Sequence, residues 1–486
     1  MMIPSRRSFL MGAAALSAAV VTPDLVRAAQ AAAATPDWAL ATADVEADIT
    51  ARTLELVHGR APAGLEGVLF RNGPAKFRRP GGSAQHWFDG DGLIRRFALS
   101  EGRVELSARF VATRKRAQEE RLGAMVMPGF GTLGDPRAEI GSPDDANAAN
   151  TSVLMAGDKL WALWEAGSPV AMDPITLQTE GYVTLRPDLR AMPFLAHPRI
   201  EPDGRIWNLG MGGDQALVWR LSADGTLEDA SLIPLPRASY VHDFTATERH
   251  LVIVLQPWVR ERQTMPFADG FAWRPETGTQ ILVVDKDDLT RRRIFETDAF
   301  GFFHLGDAWI EGDDILFDIA LHRDMDFAAR GASEIVNGVP LDGEAARLGL
   351  IRLKSDGATE LTRLPAIAEF PRSDPARAGQ MRRLSVHTSA DTPETPFARA
   401  IGVTDWSTAT TRTFDFGAGH VVDEMVWVAK PGTRSEADAW LIGPSLNLTE
   451  RRTELHVLDV AALEDGPVAT WRADVALPAA FHGIWA

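Results

Sequence analysis

VWRLSADGTLEDASLI, residues Val218–Ile233, is an apolar strand, a polar turn ending Asp224-Gly225, and a second strand. Asp-Gly between β-rich runs is a strong hairpin signal, because glycine takes the positive φ a tight turn demands. The same pattern recurs as VAMDPITLQTEGYV from Val170, ILVVDKDDLTRRRIF from Ile281, LIRLKSDGATELTRL from Leu350 and LHVLDVAALEDGPVATW from Leu455. Turn pairs at Pro202-Asp203-Gly204, Gly312-Asp313-Asp314 and Asp356-Gly357 lie between further β-rich runs. Starts at 170, 218, 281 and 350 are 48, 63 and 69 residues apart, compatible with four-stranded units of about 40–50 residues plus loops. A β-sandwich carries similar turns, so the turn count does not fix the number of units. No stretch has long helical periodicity, so helices are expected to be short and confined to insertions.

Four histidines sit in short β-like motifs: His197 in AHPRI, His242 in VHDF, His304 in FHLGDAW and His482 in FHGIW. They are 45, 62 and 178 residues apart. Local metal motifs such as HExxH place their ligands one helical turn apart, so these histidines could meet only if distant strands converge. A radially repeated sheet, which brings strand after strand to one axis, does that.

These motifs resemble those of the carotenoid cleavage oxygenases. The resemblance runs from about Leu65 to the C-terminus, in matching order, and implies an all-β, seven-bladed β-propeller. In it the metal lies on the central axis, and loop and helix insertions cover one face. It implies Fe(2+) held by His197, His242, His304 and His482. Glu165 in LWALWEAG, Glu369 in AEFPR and Glu424 in VVDEMVWVAKPG match the family's three glutamates, which accept hydrogen bonds from three of the ligand imidazoles. A carboxylate on the second ring nitrogen fixes the tautomer and orientation of a metal-binding imidazole. Thr151, after Asn150, matches the threonine beside the iron's vacant position. GVLFRNGPAKF (Gly67–Phe77) and HWFDGDGLIRRF (His86–Phe97) match the family's N-terminal block, with a structural role in closing the propeller expected. The third motif departs, with Asp307 and Ile310 where many relatives have Asn and Glu. His58, His250, His322, His387, His420 and His456 carry no motif that marks them as ligands.

The reaction implied is dioxygenase cleavage of a C=C bond in a conjugated apolar alkene. It uses O₂ and no external reductant, and yields two carbonyl products. Four histidines leave two positions of a six-coordinate iron for O₂, water or substrate. A carotenoid or apocarotenoid is the first substrate expectation, because Tyr182 and Tyr240 are the only tyrosines available to hold a phenol. The alternatives are lignostilbene-type stilbene cleavage and a non-catalytic periplasmic binding propeller that keeps its metal for structure. An isomerase or hydrolase on the same scaffold is a third, since fold does not fix function. Phe194, Trp258, Phe303 and Trp309 are candidate tunnel residues. The apolar run LGAMVMPGFGTL (Leu122–Leu133) has two readings: peripheral membrane contact, or a buried loop over the propeller face.

The start of the chain reads as a signal. Ser5-Arg6-Arg7-Ser8-Phe9-Leu10 precedes MGAAALSAAVV, with small residues around Ala28–Ala34. Arg-Arg before Phe-Leu is the twin-arginine form, so residues 1–30 are expected to be an export signal and residues 31–486 one periplasmic domain. The apolar run is shorter than the roughly 20 residues that span a bilayer. Removing residues 1–30 takes away three arginines and one aspartate and moves the formal charge from −16 to −18. Such an acidic chain repels nucleic-acid phosphate. With no cysteine, disulfides, thiolate ligands and iron–sulfur clusters are excluded.

Overall fold

The central strands of the repeats are largely buried on both faces, and the packing explains why most of them read as apolar. In Leu251–Leu255 all five side chains are buried. Leu251, Ile253 and Leu255 enter a core with Leu209 and Val218 on one side, whereas Val252 and Val254 pack with Phe317 and Ile319 on the other. Each sheet is thus sandwiched between two neighbours, and strand alternation divides its side chains between two cores. Fully burying one such Val, Leu or Ile contributes about 1.5–3 kcal/mol relative to leaving it exposed. The outermost strands have one neighbour and read differently: in Arg292–Thr297 only Phe295 is buried.

The computed structural model describes residues 36–341, 344–390, 396–433 and 435–486. The expected export signal lies outside them. Among the described residues seven sheets of four to six strands follow one another around a ring, the expected seven-bladed propeller. Blade 1 is built on Gly67–Lys76, Asp91–Ser100 and Arg103–Phe110, and blade 2 spans 152–182. Blade 3 spans 199–234, blade 4 245–297, blade 5 301–367 and blade 6 369–415. Blade 7 spans 420–472. From Trp38 to Ala486 the chain is one compact unit. The quoted turn pairs sit at hairpins, with Gly225 at φ 82° and Gly357 at φ 98°, backbone that a side chain would strain.

An early segment, Ile49–Gly59, and the last strand together close the ring. The C-terminal strand His482–Trp485 pairs with Leu69–Asn72 on the inner edge of blade 1. Ile49–Thr53 adds the outer strand of blade 1, and Glu55–Gly59 continues into the outer strand of blade 7. A shared core that includes Leu69, Phe97, Ile442 and Trp471 seals the junction. The two N-terminal motif blocks fall in this closing blade.

Helices are few and short, as expected. Helix α1 (Arg114–Leu122) starts at Thr113, whose side chain accepts the Arg116 N–H, and stops at Gly123 with φ 61°. Helix α2 (Ala332–Val336) belongs to a second insertion. The segment that follows α1 is packed rather than free. Ala124–Pro128 are buried, and Glu119 accepts the N–H groups of Val126 and Met127. Asp89 accepts those of Phe130, Gly131 and Thr132, and within the segment Leu133 alone is exposed, at 60%. Most of Leu122–Leu133 therefore follows the buried-loop reading.

Ring closure makes a testable demand on the last residues. Deleting residues 482–486 is expected to abolish the single cooperative thermal transition followed by calorimetry. His482→Ala, which keeps the strand's backbone pairing, is expected to retain it.

Candidate metal centre

Seven residues, one from each blade, converge on the axis. His482 comes from the inner strand of blade 1, and Glu165 from the loop after Lys159–Leu163 in blade 2. His197 and His242 immediately precede the first strands of blades 3 and 4, and His304 lies inside the first strand of blade 5. Glu369 begins the first strand of blade 6, and Glu424 sits between two inner strands of blade 7. The register of blade 5 shifts between Phe302 and Leu305. Such an irregularity re-aims side chains, and His304 sits within it.

One ligand-capable nitrogen from each of the four histidines lies within 4.8 Å of the others. The His197 ring meets that of His482 edge to face, with centroids 4.5 Å apart, and lies tilted to that of His242 at 4.6 Å. The carboxylates hold the outer nitrogens. His304 Nδ1 donates to Glu369 Oε2 at 2.6 Å, His482 Nδ1 to Glu424 Oε1 at 3.0 Å, and His242 Nδ1 to Glu165. All three Nε2 atoms are thereby left as lone pairs facing inward. Among the described residues His197 has no carboxylate partner.

The residues fit a metal ion. His304 Nε2 is buried and has no partner of its own, and the Nε2 atoms of His197 and His242 face each other at 3.0 Å. Buried nitrogens arranged this way are costly unless something binds them. Four neutral imidazoles without a thiolate suit a first-row divalent ion such as iron, zinc, copper or nickel.

Electrostatics favours the neutral form at two of the imidazoles. At His242 burial pushes the same way, but the Glu165 carboxylate outweighs it and raises the pKa. Burial pushes His197 well below the usual histidine range, and the neighbouring imidazoles push the same way. Burial likewise takes His482 down to about 3 despite Glu424. Burial opposes the charged form of Glu369, yet His304 and His322 hold its pKa below the usual carboxylate range. Glu424 is lowered against burial too, by Arg372, His482 and Arg71. Neutral ligands and ionised carboxylates are the states that metal binding requires.

Several contributors had no sequence signal. Tyr240 donates to Glu165, with both carboxylate oxygens at 3.1 Å. Arg372 Nε and Arg71 Nη1 reach Glu424 at 2.7 and 2.6 Å. His322, which carried no motif, places Nε2 2.5 Å from Glu369 Oε1. Phe370 takes φ 55°, rare for a bulky residue, and its ring lies 4.5 Å from that of His304. The departure at Asp307 leaves the His304–Glu369 contact intact: Asp307 instead meets Arg199 at 3.3 Å and Ser373.

His242, His304 and His482 border a cavity of about 810 Å³, which Thr151 also lines. Phe88, Phe130, Phe267, Phe303, Phe370 and Phe481 form much of its wall. Of the four aromatic residues expected there, Phe303 alone lines it. Phe194 packs between blades 2 and 3, Trp258 stands behind Tyr240 and Phe271, and Trp309 lies under the Arg382 guanidinium. Strand alternation turns Trp309 away from the axis, Trp258 belongs to a two-stranded insertion, and Phe194 sits in the loop before the first strand of blade 3.

The profile of the family described as Retinal pigment epithelial membrane protein matches residues 42–486. The apocarotenoid-15,15'-oxygenase of Synechocystis is 28% identical over 476 residues, 89% of this chain and 93% of its own. Isoeugenol monooxygenase of Pseudomonas putida and lignostilbene-alpha,beta-dioxygenase isozyme III of Sphingomonas paucimobilis are each 28% identical, over 88% of this chain and 93% of theirs. A solved variant of the Synechocystis apocarotenoid oxygenase superposes with a TM-score of 0.82 at 24% identity, covering 93% of this chain and 99% of that one. That likeness establishes the fold. Loss of the inner ligand and of its carboxylate should differ in degree. By mass spectrometry and chelator competition, His304→Ala is expected to lose bound metal. Glu369→Gln is expected to keep it with affinity lowered about 10–100-fold.

Proposed function

The chain belongs to the retinal pigment epithelial membrane protein family of carotenoid cleavage oxygenases, and on that premise we propose that it binds iron(II) and cleaves a C=C bond with O₂. The substrate is a conjugated apolar alkene, an apocarotenoid or carotenoid first, and the products are two carbonyl compounds. One observation carries the reading: four histidines, three of them buttressed by carboxylates, converge beside a large aromatic cavity. Bound iron(II) would activate O₂ for reaction with the electron-rich double bond.

The chain's own residues supply the setting. The phenylalanine walls exclude water and hold a planar polyene at a fixed angle to the histidines. The cavity volume lies within the range of small-molecule sites, roughly 300–1,000 Å³. Glu165, Glu369 and Glu424 keep the three imidazole N–H groups pointed outward, and their charge offsets a divalent ion in a buried place. Phe370 packs against His304 and His482 and limits their rotation.

A phenolic stilbene is the second reading, supported by relatives named for isoeugenol and lignostilbene at the same identity. Against it, Tyr240 is committed to Glu165 and Tyr182 to the Asp144 carbonyl, so neither is free to grip a phenol.

Export through the twin-arginine route to the periplasm belongs to the same proposal, supported by Arg6-Arg7 before Phe9-Leu10. So does peripheral membrane contact, which would fall to exposed Leu133 together with Ile140 and Met265 at the cavity rim.

Iron-loaded protein given an apocarotenoid under ¹⁸O₂ is expected to place label in the carbonyl products, trapped at once by reduction. Unlabelled products, or no turnover of any carotenoid, apocarotenoid or stilbene, would refute the cleavage reading. Replacing Arg6 and Arg7 by lysine is expected to leave full-length protein in the cytoplasmic fraction, and normal export of that variant would refute the route. Liposome co-sedimentation tests the membrane contact, and an unchanged result for Leu133→Ser would remove Leu133 from it.

A further inference from the structure

His322 ends the strand Asp314–His322 of blade 5 and lines the cavity. Its Nε2 is 2.5 Å from Glu369 Oε1, while His304 Nδ1 and the Phe370 N–H take Oε2 at 2.6 and 3.1 Å. The carboxylate only accepts, so Nε2 of His322 carries a proton, and in that tautomer Nδ1 is the ring's acceptor. Among the described residues Nδ1 has no protein donor. Phe303 stands edge-on to the ring at 5.5 Å and Phe327 nearly parallel at 6.3 Å, offering nothing polar.

The other polar groups of the inner wall are already engaged. Tyr240 donates to Glu165, Thr151 to Asn150, Thr388 to the Glu369 carbonyl and Ser389 to the Ile367 carbonyl. His322 Nδ1 is therefore an unmet acceptor in an aromatic cavity, separated from ligand His304 by a single carboxylate. A group in that position rewards a donor and penalises its absence, because an occupant without one leaves the nitrogen unpaired and dry.

We propose that His322 is a specificity-determining residue, accepting a hydrogen bond from a hydroxyl on the conjugated alkene. An alcohol or phenol satisfies the nitrogen, whereas an ether, a carbonyl or a hydrocarbon end does not. This deepens the cleavage proposal by naming the substrate's polar group, and it rests on that reading for the cavity's occupant.

The test uses metal-loaded protein without O₂ and two matched pairs: an apocarotenol with its methyl ether, and 4-hydroxystilbene with its methyl ether. Binding is followed by tryptophan fluorescence. The hydroxyl member of at least one pair is expected to bind about tenfold tighter or more. His322→Phe is expected to bring that ratio to about one, and His322→Gln, whose amide oxygen accepts, to restore part of it. Metal content is measured in every variant. A purely structural role through Glu369 would weaken both members alike and leave the ratio unchanged. Equal binding within both pairs, the same ratio in His322→Phe, or no binding at all would overturn the inference. A hydroxyl preference in protein that then cleaves nothing in air would overturn the reaction and leave the specificity standing.

Discussion

Four imidazole nitrogens have to reach one small volume from strands that share no local sequence, and here the closed ring achieves this. Closure rests on the pairing of His482–Trp485 with Leu69–Asn72, in which the last ligand is itself part of the clasp. Side chains then lock neighbouring blades to one another beside the ligands. Arg199 of blade 3 donates from Nε to the Phe244 carbonyl at 2.6 Å, and from Nη2 to Asp243 at 2.7 Å and the Leu305 carbonyl at 3.1 Å. Those partners adjoin His242 and His304, so one guanidinium sets the spacing of three ligand strands. Arg382 reaches from blade 6 to Asp318 and the Asp307 carbonyl of blade 5. Arg372 spans blade 6 to Glu424 and the Gly483 carbonyl, and Arg71 spans blade 1 to Glu424.

The charges explain why arginine does this work. Three ionised carboxylates in a dry axis would repel each other, and burying them costs several kcal/mol per ion unless each is paired. Glu424, almost wholly buried, is met by two arginines, the Gly483 N–H and His482. Glu369 is met by two histidines and its neighbour's N–H instead. Glu165 has His242 and the Tyr240 hydroxyl. The three carboxylates thus have one role toward the histidines but different counter-groups, because each faces a different part of the axis.

The four histidines and three glutamates that meet at the axis were legible in the sequence, because they sit in short motifs whose order is tied to the blades. Hairpins were equally legible, since Asp-Gly turns and alternating strands are local signals. Seven blades were not countable: the first and last blades borrow strands from opposite ends of the chain, which breaks the repeat. His322 carried no signal because it gains its meaning only where blade 5 folds its second strand against Glu369 of blade 6. Arg199 and Tyr240 were invisible for the same reason, their partners lying in other blades. Phe194, Trp258 and Trp309 lie off the aromatic wall, and composition alone does not say toward which core a loop or strand residue points.

The two-ended clasp also has a consequence in time. Translation delivers residues at roughly 5–20 per second. Strand Gly67–Lys76 therefore waits on the order of 20–80 s before its inner partner, the final strand of the chain, has been made. Throughout that interval its inner edge carries unpaired backbone groups, the kind of template on which neighbouring chains stick together. A nascent chain of this design depends on holding that edge apart from its own copies until His482–Trp485 emerges, and crowding many ribosomes onto one message should be where its yield is lost.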